Sequence, residues 1–303
     1  MAEDKPRIAV AIAGTTVIRD GSGTRRVPLS YRDLAEAVSV AEDTGYEAAY
    51  VPDHGVWDPF ALLSALGQRT SRIRLGSGVV TISSRDAPSM AAAATTLHRV
   101  SGGRAILGLG SGPEGRILRV AEYLHEVRRH LAGPIPVHLG ALGPRMTELA
   151  GEVADAVLLN WCTPDRVAQA RTEVARGANR AGRDPGEVNV AVYVRACLGH
   201  DQEHAVAALG GAVAMYAGIP AYRRQFEAMG LGKEAARAGD HVSESLVRAL
   251  CVWGTREEAL ERFAHWRRAG ADVVVVYPVP AQDPSSSLLG SIMAAAPNPA
   301  IEH

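Results

Sequence analysis

The chain has 303 residues, a formal net charge of -1, and 47% hydrophobic against 21% charged residues, the make-up of a soluble globular protein. That balance supplies no overall basic field to attract nucleic acid or an anionic membrane. Cys162, Cys197 and Cys251 lie far apart, form no C-x-x-C and are odd in number, which argues against a disulfide framework or a zinc site and fits a reducing cytoplasm. The start MAEDKPRIAVAIAG is acidic ahead of a short apolar run, so no secretory signal is expected. No apolar stretch approaches membrane-helix length.

Short apolar runs alternate with helical ones. RIAVAIAG (Arg7–Gly14) reads as a first strand, and SYRDLAEAVSVAEDTG as a helix capped by Ser30 and Asp33, with Gly45 at its carboxyl end. EAAYVPDH is a second strand, followed by a helix opened by Asp58-Pro59. IRLGSGVV, RAILGLG, IPVHLG and DAVLLN are the third to sixth strands, each followed by a helical stretch. EVNVAVYVRACLG is the seventh. A mostly helical region from about Asp201 to Val252 follows, then a helix with a Thr255/Glu258 capping box, then ADVVVVYP as the last strand.

Eight strands, apolar nearly throughout and each followed by helix, predict a (β/α)8 TIM barrel with a helical insertion before the last strand, one domain over 1–303. A doubly wound sheet is the alternative. Gly110, Gly112 and Gly115 spell G-x-G-x-x-G, but a dinucleotide fold places that motif after its first strand, and here it follows the fourth. In a barrel, chemistry belongs at the carboxyl ends of the strands. Those ends carry Asp53-His54, Gly76-Ser77-Gly78, Gly110–Glu114, Gly140–Arg145 and Asn160. Glycines clustered there suit close backbone approach to a flat ligand, although each could also serve a bend or a tight corner. Gly143-Pro144 opens a helix whose free N–H groups, beside Arg145, suit a phosphate. His138 on the fifth strand reads as a hydrogen-bonded barrel residue. The remaining histidines show no metal-ligand spacing, no catalytic triad forms around Ser111, and no metal is expected.

Three segments in order resemble one family. RIRLGSGVVTISSRDAPSMAAAATTLHRVSGGRAILGLGSG is similar to the core of the bacterial-luciferase-like superfamily, LGALGPRMTELAGEVADAVLLN to its second signature, and WGTREEALERFAHWRRAGADVVVVYP to its closing strand. VPDHGVW resembles a segment of its coenzyme F420-dependent oxidoreductase branch, the methylenetetrahydromethanopterin-reductase-like enzymes. The resemblance spans roughly Ile8 to Pro278 and implies a barrel that binds the deazaflavin F420, with FMN as the alternative.

It also implies roles. Asp53 contacts the ring and His54 is the active-site histidine. Gly78-Val79 forms a non-proline cis bulge behind the ring. Ser111, Gly112 and Arg116 contact the cofactor, while Gly140, Leu142, Gly143, Arg145 and Met146 hold its phosphate end. Trp57, Glu114 and Asn160 face the substrate. Two departures stand out. The glucose-6-phosphate enzymes of this branch carry a catalytic Glu where this chain has Pro113, and their tryptophan aligns one residue away from Trp57. The expectation is hydride transfer between F420 and a small organic substrate in a cytoplasmic homodimer that binds neither nucleic acid nor membrane. An FMN-dependent luciferase-like monooxygenase and a non-catalytic cofactor-binding homologue are the rivals.

Overall fold

Eight parallel strands close into a ring because their residues alternate between two apolar environments. The computed structural model describes residues 7–20, 23–112, 116–238, 242–281 and 284–298. In chain order, β1 (Ile8–Ala11) leads into an antiparallel hairpin, β2 (Thr15–Asp20) and β3 (Gly23–Pro28), then α1 (Tyr31–Asp43). β4 (Ala48–Val51) and α2 (Pro59–Gly67) follow, then β5 (Arg74–Ser77), the short β6 (Val80–Thr81) and α3 (Ala87–Val100). Next come β7 (Ala105–Gly110), α4 (Ile117–His130), β8 (Val137–Ala141), α5 (Pro144–Val153), β9 (Ala156–Asn160) and α6 (Pro164–Arg180). β10 (Asn189–Leu198) precedes α7 (Gln202–Ala217), α8 (Pro220–Ala228), α9 (Gly232–Arg237) and α10 (Glu244–Leu250). β11 (Cys251–Gly254), α11 (Arg256–Arg268), β12 (Val273–Pro278) and α12 (Pro284–Ala294) complete the chain.

The barrel runs β1-β4-β5-β7-β8-β9-β10-β12 and returns to β1, every pairing parallel. It is a (β/α)8 TIM barrel. On β10, Val190, Val192, Val194, Ala196 and Leu198 join the apolar layer beneath the helices, while Ala191 and Tyr193 face the barrel interior with Ile106, Leu158, Val273 and Val275. This period of two is what a strand covered on both faces requires.

The helices begin where the sequence places caps. Ser30 and Asp33, and Thr255 and Glu258, form reciprocal capping boxes, and Asp58 and Thr163 cap helices opened by proline. The first helix closes at Thr44 rather than Gly45; Gly45 comes next, at φ +90.

Two regions depart from the sequence reading. The stretch after the first strand is the β2–β3 hairpin, and the inserted region contains β11, which pairs with β10 from Arg195↔Cys251 to Leu198↔Gly254. The insertion has its own apolar cluster, with Phe226, Leu209, Val213 and Leu246 packed around Trp161. It stands over the carboxyl end of the barrel, where β9 and β10 finish.

Candidate functional site

A bulge on the third barrel strand shapes the floor of the cavity. Gly76 pairs with Ile106, but pairing resumes with Val80 opposite Leu109, so four steps on one strand match three on the other. Ser77 bridges the gap: its hydroxyl donates to the Gly108 carbonyl at 2.8 Å and accepts from the Gly108 N–H at 2.9 Å. The Gly78–Val79 peptide bond at the bulge is cis, as the resemblance implies.

Glycines make room for this bulge. A Cβ on Gly108 would lie 1.9 Å from the Ser77 carbonyl oxygen, and one on Gly110 would lie 2.6 Å from Val79 Cγ2. A Cβ on Gly78 would lie 2.1 Å from the Tyr193 hydroxyl. The glycines therefore have a second purpose besides any approach to a flat ligand. Those at 108 and 110 first accommodate the protein's own bulge, and the bulge, with Val79 on its crest, faces the cavity.

Below this floor the barrel is closed by Tyr50, Tyr193 and His138. Tyr50 meets Tyr193 edge-on at 6.0 Å between centroids, and its hydroxyl lies 3.2 Å from His138 Nδ1. Burial pushes His138 down to about 3, so it is a neutral packing histidine at ordinary pH, the barrel role expected of it.

The cavity above, of about 290 Å³, opens at the carboxyl ends of the strands. Asp53, His54, Gly78, Val79, Ser111, Gly112, Gly140, Leu142 and Asn160 all line it, which brings together most of the residues singled out in the sequence. Asp53 is exposed at the rim and its carboxylate accepts from the Gly55 N–H at 3.2 Å. His54 also lines a second, apolar chamber of about 60 Å³ next door, bounded by Ala13, Ala212, Val279 and Leu288. The amino end of α5 lies beyond Leu142. Its N-cap, Gly143, provides no side-chain cap, unlike Ser30, Asp58, Asp86 and Thr163 on other helices. A helix opening of that kind, with Arg145 exposed in its first turn, can accept an anion.

Other expected residues sit elsewhere. Gly143 and Arg145 are exposed beyond the cavity wall, and Met146 packs against the main core. Arg116 is the exposed N-cap of α4. Trp57 does not reach the cavity. Its ring lies over Gly14, where a Cβ would come within 2.4 Å of Cδ1, and its buried indole N–H has no partner among the described residues. Gly14, just before β2, leaves room for the ring, which packs against the main core. Glu114, with Pro113, lies outside the described residues.

The far wall was not foreseen. It consists of Tyr193 and Arg195 on β10, Tyr277 on β12, Tyr216 on α7 and Tyr222 on α8. Asn160 joins the two halves: its amide nitrogen donates to the Tyr222 hydroxyl at 2.8 Å and its oxygen accepts from Arg195. Burial raises the Tyr222 phenol to about 12. It likewise pushes the Cys162, Cys197 and Cys251 thiols up to about 12, which leaves none of them a ready nucleophile. A single charged residue in the apolar strand NVAVYVRACL was the available sequence signal for Arg195; nothing comparable marks Tyr216 or Tyr222.

The family model described as luciferase-like monooxygenase matches residues 10–131 and 114–273. A 5,10-methylenetetrahydromethanopterin reductase of Methanolobus tindarius is 30% identical over 291 residues, covering 80% of this chain and 89% of that protein. An F420-dependent glucose-6-phosphate dehydrogenase of Nakamurella multipartita is 27% identical over 57% of this chain and 66% of its own length. Among solved structures, the coenzyme F420-dependent tetrahydromethanopterin reductase of Methanopyrus kandleri superposes with a TM-score of 0.75 at 23% identity, covering 96% of this chain and 98% of that one. An F420-dependent secondary alcohol dehydrogenase, in complex with an F420-acetone adduct, gives 0.78 at 15% identity over 96% and 98% of the two chains. Those two likenesses speak for the fold; with the family match and the 30% identical relative, the chain belongs to the luciferase-like family.

Proposed function

We propose that this protein is an oxidoreductase that exchanges hydride between coenzyme F420 and a small organic substrate. The observation that carries this reading is the cavity wall on β5 to β8, where Gly78, Gly110, Gly112 and Gly140 alternate with the small side chains of Val79, Thr81, Ser111 and Ala141 and leave a low face without charged groups. A flat, tricyclic ring fits such a face better than any ligand that needs side-chain hydrogen bonds. The uncapped amino end of α5 fits the phosphate of the same cofactor. The F420-dependent relatives support the choice of the deazaflavin over FMN.

When bound, the deazaflavin supplies a hydride donor and acceptor. The chain supplies the rest. Gly78, Val79, Ser111 and Gly112 would hold the ring, and Asp53 would accept a hydrogen bond from it at the rim. Arg145 and the α5 amino end would hold the phosphate. His54, at the strand end between the two chambers, moves the proton that must accompany hydride transfer at the substrate. The three buried, unpaired thiols support a cytoplasmic setting.

The test is titration of the purified protein with F420 and, separately, with FMN, followed by absorbance, and then a turnover assay on a panel of alcohols, imines and unsaturated carbonyl compounds. Saturable F420 binding with substrate-dependent reduction or oxidation is expected. Tighter binding of FMN would replace the cofactor assignment, and F420 binding without turnover across the panel would favour a non-catalytic homologue.

A further inference from the structure

We propose that Arg195 is an anion anchor and that the substrate is a small organic acid whose carboxylate pairs with its guanidinium. This rests on the oxidoreductase reading of the cavity and names its substrate class.

Arg195 is 3% exposed, on a strand that is otherwise apolar. A guanidinium so far from water normally has a carboxylate beside it. The other deeply buried arginine, Arg166, does: Glu173 lies at 2.7 Å. Arg195 has none among the described residues. Of its five N–H donors, one is engaged among the described residues, at the neutral Asn160 amide oxygen. The guanidinium carbon lies over three aromatic rings, Trp161 at 4.3 Å, Tyr277 at 4.4 Å and Tyr216 at 5.2 Å. Contacts of this kind hold the cation without consuming its hydrogen-bond donors. Arg195 lines both the large cavity and the apolar chamber beside it, so the side chain borders the space a substrate would fill.

Among the described residues, the surroundings do not neutralise the charge. Burial holds the Tyr193 and Tyr222 phenols in their neutral forms. The arrangement is also held at a cost to the backbone. Trp161 adopts φ 55, a left-handed conformation rare for a bulky side chain, and Gln225 fixes it by donating to the Asn160 and Trp161 carbonyls at 2.8 and 2.9 Å. The strained residue is the one whose ring lies nearest the guanidinium.

One cation favours one negative charge, and the forked geometry of the guanidinium matches a carboxylate. Ala13, Ala212, Val279 and Leu288 around the adjoining chamber suit the apolar body of the acid. β10 stands four places from β5 in the ring of eight strands. An acid held by Arg195 therefore faces the Val79 bulge across the cavity, on the side away from the proposed cofactor wall.

The experiment is calorimetric titration of the protein, saturated with F420, with benzoate and with its neutral, shape-matched counterpart benzamide. Wild-type protein is expected to bind benzoate at least tenfold more tightly. R195Q is expected to bind the two alike, and R195K, which keeps the charge but not the fork, to retain part of the preference. Equal wild-type affinities, or an undiminished preference in R195Q, would overturn the proposal. The wild-type comparison and R195K decide the matter even if R195Q fails to fold. A separate F420 titration keeps the two readings apart. An Arg195-dependent preference without F420 binding removes the oxidoreductase reading alone, while F420 binding without the preference removes the anchor alone.

Discussion

The two walls of the cavity use different chemistry. The wall on β5 to β8 offers backbone: Gly78, the Val79 bulge, Gly110, Gly112 and Gly140. The wall on β9 to β12 and the inserted helices offers side chains: Asn160, Arg195 and four tyrosines. A backbone surface offers close approach and fixed N–H and C=O groups but no charge. A side-chain surface reads polarity and charge, and changes with each substitution. The contrast supports the proposal that the first wall takes the cofactor and the second the substrate, and it can be broken at several points.

The largest effect is expected at His54, where the walls meet. His54→Ala is expected to keep F420 affinity while turnover falls by roughly 10²–10⁴-fold, the usual result of losing a general acid or base. Steady-state rates and a cofactor titration on the same preparation check it; wild-type turnover would move the proton carrier elsewhere.

The floor beneath both walls titrates. His138 is held near 3 in the folded protein, against about 6.5 when exposed. Its contribution to stability is therefore complete above pH 6.5 and is lost as pH falls toward 3, by about 1.4 kcal/mol per pH unit. Urea unfolding between pH 7 and pH 4.5 is expected to show this slope in wild type and a shallower one in His138→Gln. Parallel slopes would mean that the ring is protonated in the fold.

On the backbone wall, Gly110→Ala places a Cβ 2.6 Å from Val79. Overpacking of this kind costs about 1–3 kcal/mol and displaces the bulge. The expected result is a lower denaturation midpoint together with weaker F420 binding; loss of stability with unchanged binding would separate the bulge from the cofactor. At the edge of that wall, Arg145→Glu is expected to weaken F420 binding tenfold or more, about 1.4 kcal/mol, with turnover at saturation preserved. Unchanged affinity would remove the α5 amino end from the site. The smallest effect is expected at Trp57, which packs on Gly14 outside both walls: Trp57→Phe should change KM less than twofold.

Legibility in the sequence followed the same division. The eight barrel strands were readable because burial on both faces demands continuous β-branched and apolar runs, as in VVVVY at 273–277. The hairpin was not read, since TTVIRD and GTRRVP are too polar to mark a buried face, although the Asp20-Gly21 pair was an available turn signal. Strand β11 was hidden because Cys251 follows the last helical residue, Leu250, with no loop residue between. The backbone wall was visible as glycines at strand ends. Their immediate purpose was not, because which atom fills the space beside Gly110 depends on a bulge one strand away. The tyrosines at 216 and 222 could not be placed, since only the packing of α7 and α8 over the barrel brings them to β10.

The most direct measurement is a crystal structure of the protein with F420 and benzoate. The account requires the deazaflavin ring against Gly78–Val79, its phosphate at the amino end of α5 near Arg145, and the carboxylate of benzoate on Arg195. A ring stacked instead on the tyrosines of the opposite wall, with the Val79 bulge left facing solvent, would contradict it.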